Sequence, residues 1–312
     1  MLKPRINYFR EPAAIQTYRI SPAEEGLTIY QILRQRLKIS RRLLRKLRHN
    51  YRVRINGLYQ DFSTPVKTGD LLELNFNFQE ESSLTAEPMN LDIIYEDQNL
   101  LVINKPAGML VHPAGDEKIG TLASGVIYHL RKQNNYNRFR SIHRLDRNTS
   151  GLILIAKNQY AHNYLTNQFV RGKVRREYLA FVRGVIGEEQ GMIDAPIGRT
   201  ENSIIKRQVD FDKGKRAITH FKVVKRYANA TMVSIRLETG RTHQIRVHFS
   251  YLGHPLLGDN LYGGSDELIK RHALHSYRLI CRLPLSHEKK EFTAALTPDL
   301  QDLLAHLSPL KR

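Results

Sequence analysis

Apolar residues recur at helical spacing at Ile29, Ile32, Leu33 and Leu37, and again at Leu43, Leu44 and Leu47. The spacing predicts two short amphipathic helices in succession. Ser40 stands where the second needs an N-cap. Strand signals follow in YRVRINGLYQDF, where Asn56-Gly57 suits the positive φ angles of a tight hairpin turn. Lys67-Thr68-Gly69-Asp70 makes a second turn, and LLELNF (71–76) closes the unit as a strand. Residues 26–78 are therefore expected to form a small α/β domain, with 1–25 as an N-terminal extension. The acidic, polar stretch QEESSLTAEP has no apolar period and predicts a linker over 79–88.

From residue 89 to 312, short apolar runs alternate with turn signals. NLLVINK (99–105), GLILIAK (151–157) and REYLAFVRG (176–184) each predict a strand. AITHFKVVKRY (217–227) and ATMVSIRLE (230–238), separated by Ala228-Asn229, predict a hairpin. Residues 158–171 suit a helix with Tyr164 and Leu165 facing inward. In TGRTHQIRVHFSYLG, Ile245, Val247 and Phe249 alternate as in a strand, while Ile245, Phe249 and Leu252 fit a helix. The helix is preferred, with Thr242 as N-cap, Gly253 as its stop and Arg246 near its start. Many strands and few helices predict an α+β domain on a mixed, largely antiparallel sheet. No repeat of fixed period appears.

Charge changes this picture. The chain has 312 residues, with Lys+Arg 49 against Asp+Glu 30 and a net charge of +19. Arg34, Arg36, Lys38, Arg41, Arg42, Arg45, Lys46, Arg48, Arg52 and Arg54 fall in one run without a single acid. A solvated helix face ordinarily mixes signs, because like charges at i,i+4 repel. The run instead suggests a phosphate-binding surface and an RNA partner, carried by Arg34, Arg41, Arg42, Arg45, Lys46, Arg48, Arg52 and Arg54. One cysteine, Cys281, excludes an internal disulfide framework. No apolar run approaches the roughly 20 residues needed to cross a bilayer, and the first residues lack a signal-peptide core. A cytoplasmic protein with no membrane partner is expected. Nothing fixes the oligomeric state, and a monomer is the default.

Candidate chemistry is sparse. There is no Walker loop, dinucleotide fingerprint or nucleophile elbow. His243, His248 and His254 are spaced five and six apart, which does not bring all three to one helix face, so no metal site is expected. Asp146, in His143-Arg144-Leu145-Asp146-Arg147, stands out. A carboxylate beside guanidinium groups stays ionised and can act as a nucleophile. It can equally close a turn or a local ion pair.

HRLDRNTSGLILIAK (143–157) closely resembles the signature of the RluA-type pseudouridine synthases. NKPAGMLVHPA (104–114), RREYLAFVRG (175–184) and GRTHQIRVHFSYLGHPLLGDNLYG (240–263) resemble that family's other motifs, in the same order. Residues 26–75 resemble the small αL-type RNA-binding domain named after a small-subunit ribosomal protein, with Leu27-Thr28-Ile29 where that family has Arg-Leu-Asp. The resemblance implies isomerisation of uridine to pseudouridine in structured RNA without a cofactor; ribosomal and transfer RNA both stay open, and the appended basic domain favours the ribosomal. It makes Asp146 the nucleophile, attacking the sugar or adding to the base. It implies that Arg144 fills the space left by a flipped nucleotide. Tyr178 would pack on the uracil ring, with removal of the carbon-5 proton as a second role. Arg246 would pair with Asp146. Near the C-terminus the chain departs from the family: LHSYRLICRLPLSHEKKEF (274–292) has Ser276 for a small apolar residue and Glu288 after His287. Two other readings use the same residues: an RNA-binding or ribosome-assembly factor with a vestigial synthase domain, and a base-excising N-glycosidase.

Overall fold

The computed structural model describes residues 15–80, 82–201, 203–265 and 267–310. The small domain begins with β1 (Ile15–Arg19), inside the stretch expected as an extension; residues 1–14 lie outside the described residues. A helical segment follows, α1 (Ile29–Gln31) passing into a π-helical turn (Ile32–Arg36). Thr28 caps this segment through a capping box with Gln31. Its hydroxyl accepts from Gln31 N–H (3.2 Å), and Gln31 Oε1 accepts from Thr28 N–H (2.7 Å). Lys38, at φ 58, breaks the helix, and Ser40 caps α2 (Arg41–His49) as predicted. The sheet is β2 (Val53–Ile55) and β1 either side of β3 (Leu71–Asn75), all antiparallel. Asn56 and Gly57 both have positive φ, yet the turn returns through a single bridge, Ile55 to Leu58, and not a second strand.

The large domain is built on one nine-stranded sheet in the order β4-β5-β6-β13-β7-β12-β11-β8, with β14 on β13. Its strands are β4 (Ile93–Glu96), β5 (Leu100–Lys105), β6 (Ser150–Ala156), β7 (Arg175–Arg183), β8 (Gln190–Asp194), β11 (Ile218–Arg226), β12 (Ala230–Leu237), β13 (Leu274–Arg282) and β14 (Lys289–Thr293). A separate hairpin joins β9 (Ile197–Arg199) and β10 (Arg207–Val209). Every pairing is antiparallel except β6 with β13, which makes this the mixed, largely antiparallel α+β fold expected. α3 (Leu122–Lys132) and α5 (Gln244–Tyr251) pack on one face through Val126, Leu130, Ile245 and Phe249. α4 (Gln159–Val170) covers the other, and α6 (Pro298–His306) closes the C-terminal end. Leu165 is fully buried, whereas Tyr164 is half-buried with its hydroxyl on His287 Nδ1.

The centre of the sheet explains the Thr149-Ser150-Gly151 that opens the dry strand β6. β6 is buried along its whole length. At its start, Gly151 has φ +106, and a Cβ there would run into the backbone of Ser276 on β13. The parallel crossing of β6 and β13 thus requires glycine at this position.

The two domains are joined by specific contacts. Phe76 stacks on Tyr160 of α4 (ring centroids 4.8 Å apart, 13° between planes). Tyr160 belongs to the small domain's apolar core, and its hydroxyl accepts from Leu285 N–H (3.3 Å). Glu80 binds Lys46 on one side (3.6 Å) and Arg140 on the other (2.6 Å). Residues 79–88 carry no helix or strand among the described residues, yet Leu84 and Ala86 lie against the large domain's core. The divergent segment after β13 serves this junction. His287 packs on Tyr164 and Leu285 on the small domain's core.

Candidate active site

The loop before β6 alternates its side chains. His143 and Leu145 point inward, while Arg144 is exposed and the Asp146 side chain is 29% exposed. His143 anchors the loop: its ring lies parallel to Phe169 of α4 and its Nε2 accepts from Leu154 N–H (3.3 Å). The loop's far end is tied by Thr149 Oγ1 to His272 Nε2 (2.8 Å). Beneath it, the fully buried Lys105 at the end of β5 donates to three carbonyls, Pro106 (2.7 Å), Met109 (2.9 Å) and Arg147 (3.0 Å). Burial pulls its ammonium down to about 7, against the opposing pull of Asp146. Lys105 therefore ties the 106–109 turn to the residue after Asp146.

α5 supplies the opposite wall. The helix begins at Gln244 and not at the predicted Thr242 cap; His243 occupies the cap position in the left-handed region (φ 58) with no side-chain cap. The Gln244 amide organises the turn instead, accepting from Arg241 N–H (2.9 Å) and donating to Ile218 O (2.9 Å). Gly253, at φ +81, ends the helix as expected. Arg246 then falls in the first turn, 7% exposed and aimed at the loop. Its Nη1 lies 3.5 Å from Asp146 Oδ2. Asp259 grips the same guanidinium from behind in a fork, Nε to Oδ2 at 2.7 Å and Nη2 to Oδ1 at 2.8 Å. Tyr262 lies under it at 4.9 Å. Burial works against the Arg246 charge, but Asp259 and Asp146 hold it above the ordinary arginine value. His243 Nε2 approaches Asp146 Oδ2 at 3.8 Å, with its Nδ1 on Tyr262 Oη (2.9 Å). Burial holds this imidazole below its usual value, partly offset by Asp146.

Tyr178 sits on β7, 3% exposed, paired across the strands with Ile235 and Ser276. Burial raises its phenol, with Arg176 and Asp146 acting in opposite directions. Asp146, Tyr178 and Arg246 are thus brought to one place from three separate parts of the chain. The Arg144 side chain makes no hydrogen bond or ion pair among the described residues. Asp146 Oδ1 likewise has no partner among them, and the side chain is 29% exposed. Lys105, Asp259 and Tyr262 do not stand out in the sequence, and His243 is weighed there only as a metal ligand. All four lie inside the family-like motifs, so their position was visible there but not their partners. The other two histidines are engaged elsewhere, His248 with Thr219 Oγ1 and Ala195 O, and His254 with Arg183 O.

The eight basic residues assigned to RNA divide sharply. Arg41, Arg42 and Arg45 are exposed on α2. Arg54 is half-buried on β2. Arg48 pairs with Asp61 (2.5 Å), and Lys46 lies over the Phe78 ring (3.7 Å) beside Glu80. Arg34 donates to Ile39 O (2.5 Å), bracing the break between the helices. Arg52 is only 5% exposed and donates to Asn75 Oδ1 (3.1 Å) and Asn77 O (2.7 Å). These last two act inside the domain and at its junction.

Buried neutral histidines add a pH dependence to the site's frame. Burial depresses His143 to about 3, His272 to about 2 and His275 to about 4. Their folded values lie below the ordinary 6.5. The unfolded chain therefore takes up protons first as pH falls, and stability is lost in that direction. The thermal midpoint is expected to drop between about pH 7 and about pH 5, before most carboxylates titrate. A midpoint flat over that interval would mean that these rings are not held neutral in the fold.

Residues 99–251 match the RNA pseudouridylate synthase family, and residues 17–72 match the RluD ribosomal pseudouridine synthase N-terminal domain. The uncharacterized RNA pseudouridine synthase YjbO of Bacillus subtilis is 44% identical over 270 residues, covering 86% of this chain and 95% of that protein. The ribosomal large subunit pseudouridine synthase D of Pseudomonas aeruginosa is 40% identical over 256 residues, covering 78% of this chain and 79% of its own. Among solved structures, human RNA pseudouridylate synthase domain containing 1 superposes with a TM-score of 0.57 at 31% identity, over 72% of this chain and 91% of that one. The matches and the mixed sheet define an RNA-modifying enzyme fold, and this chain belongs to the RluA-type RNA pseudouridine synthases. It is an isomerase acting on RNA.

Proposed function

We propose that the enzyme converts uridines of large-subunit ribosomal RNA to pseudouridine, with Asp146 as nucleophile on a flipped-out nucleotide. The observation that carries this reading is the Asp146 carboxylate, held on Oδ2 by Arg246 (3.5 Å) and left open on Oδ1 at a partly exposed mouth. The relative from Pseudomonas aeruginosa, named for the ribosomal large subunit, supports the choice of RNA. In the reaction the bond from C1′ to N1 breaks, the uracil turns, and C1′ joins C5. C5 loses a proton and N1 ends with one, so atoms balance without a redox partner. Asp146 holds the nucleotide covalently while the base turns. Arg246, fixed by Asp259, pairs with the carboxylate and aims it. Arg144 enters the gap in the RNA stack, which offsets part of the few kcal/mol that extrusion costs. Tyr178 supplies a ring for the uracil.

The test is pseudouridine mapping of ribosomal and transfer RNA from cells with and without the gene. Loss at particular uridines of the large-subunit RNA is expected. Loss confined to transfer RNA would overturn the ribosomal assignment. An unchanged map together with inactivity of the purified enzyme on ribosomal RNA would favour the assembly-factor reading.

RNA affinity should depend on the exposed arginines of α2. Replacing Arg41, Arg42 and Arg45 with Glu should weaken binding and make the slope of log K against log salt shallower, by about 0.9 for each phosphate no longer neutralised. An unaltered slope would place the RNA on another surface.

A further inference from the structure

Behind the charged face of α2 the small domain has a concavity of about 400 Å³, lined by Tyr30, Arg41, Leu44, Arg45, Arg48 and Phe62. Its chemistry is divided. The buried Leu44 and Phe62 form an apolar floor, and Tyr30, 45% exposed, forms a wall. The rim is cationic, with Arg41 and Arg45 one helical turn apart and exposed. Arg48 completes it, its guanidinium 5.8 Å from the Phe62 ring while paired with Asp61. The two aromatic residues are fixed to each other by the backbone, Tyr30 N–H donating to Phe62 O (2.8 Å). The volume lies in the roughly 300–1,000 Å³ range of small-ligand sites.

Phosphate binding alone needs no such floor, since a backbone contact is satisfied by exposed cations. A purely apolar partner would not be met by guanidinium groups at the rim. A planar aromatic ring attached to a phosphodiester satisfies both halves at once. From the pocket of Tyr30, Leu44 and Phe62 beneath Arg41 and Arg45, we infer that the small domain binds an unpaired RNA base, stacked on Tyr30, with its flanking phosphates on the arginines. The enzyme would then hold two extruded nucleotides, one in each domain, and would prefer RNA with a single-stranded base near its target. The inference rests on the RNA substrate proposed above. The two are separable, because binding of a free oligonucleotide is read without isomerisation.

The experiment is a titration of the full-length enzyme with single-stranded oligoadenylate, read by fluorescence anisotropy, for wild type, Tyr30→Ala, Tyr30→Phe and Arg41→Gln. Adenine avoids any contribution from the uridine chemistry. Stacking of one base contributes about 1–3 kcal/mol, so Tyr30→Ala should weaken binding about tenfold with the salt slope unchanged. Tyr30→Phe should retain wild-type affinity, and Arg41→Gln should lower both affinity and slope. Perfect duplex RNA should bind wild type and Tyr30→Ala alike. Equal oligoadenylate affinity of wild type and Tyr30→Ala would overturn the inference. So would a matching loss on duplex RNA, which has no base to offer.

Discussion

Replacement of Asp146 by Asn should lower kcat by about 10⁴- to 10⁶-fold, the range seen when an enzyme's nucleophile is removed, while RNA affinity stays at the wild-type level or rises slightly. The amide keeps the volume of the carboxylate but cannot act as the attacking anion. The side chain is 29% exposed and sits at a loop whose shape is fixed by other groups: His143 below, Thr149 on His272, and Lys105 on the Arg147 carbonyl. The fold therefore has no reason to follow the charge. Removing one anion from a site that receives a polyanion cannot weaken attraction. The measurement pairs single-turnover pseudouridine formation with filter binding of the same RNA. Near-normal turnover would end the nucleophile assignment. Loss of binding together with turnover would mean that Asp146 holds the loop and not the chemistry.

A second large effect is expected one step behind the carboxylate. Asp259 is 2% exposed, and both its oxygens are committed to Arg246. In Asp259→Asn the guanidinium loses one arm of the fork and the charge behind it, and its remaining ion pair is the 3.5 Å contact to Asp146. Breaking a buried pair from one side costs about 3–5 kcal/mol, so the urea midpoint should fall accordingly. Turnover should fall as well, by about 100-fold, because an Arg free to move by about 1 Å no longer aims the Asp146 carboxylate proposed as nucleophile. A variant as stable as wild type would show that the fork is not the restraint. A stable variant with normal turnover would show that Arg246 needs no fork from Asp259 to act on Asp146.

These two aspartates also show what the sequence could and could not reveal. Asp146 was legible because its neighbours in the chain carry the motif: Arg144, the Thr-Ser-Gly turn and the dry strand are contiguous with it. Asp259 lies in a family-like motif too, but its meaning depends on Arg246, thirteen residues away on a helix whose rotation only the fold sets. The same holds for His243, which reaches Asp146 because of a left-handed residue where a Thr cap was expected. Periodicity placed α2 and its Ser40 cap correctly, since local spacing decides both. It could not assign directions within the charge run. Arg52 precedes a strand that runs into the domain junction, so it turns inward, whereas Arg41 and Arg42 lie opposite Leu43, Leu44 and Leu47 and stay outside. β1 escaped notice for a different reason. It is an edge strand of five residues with a single fully buried side chain, and its place is set by pairing with β3, more than fifty residues later.

The stack of Phe76 on Tyr160, with Glu80 clasped from both domains, gives the enzyme a fixed gauge length. A tethered domain on a slack linker would let one binding surface search independently of the other, and many RNA shapes could satisfy both. Here the interval between the α2 surface and Asp146 is set once, when the chain folds. If α2 holds RNA as proposed, the RNA must bring a matching interval, and selection among the many uridines of a long transcript becomes a comparison of two lengths, one in protein and one in folded RNA, made before any bond is broken.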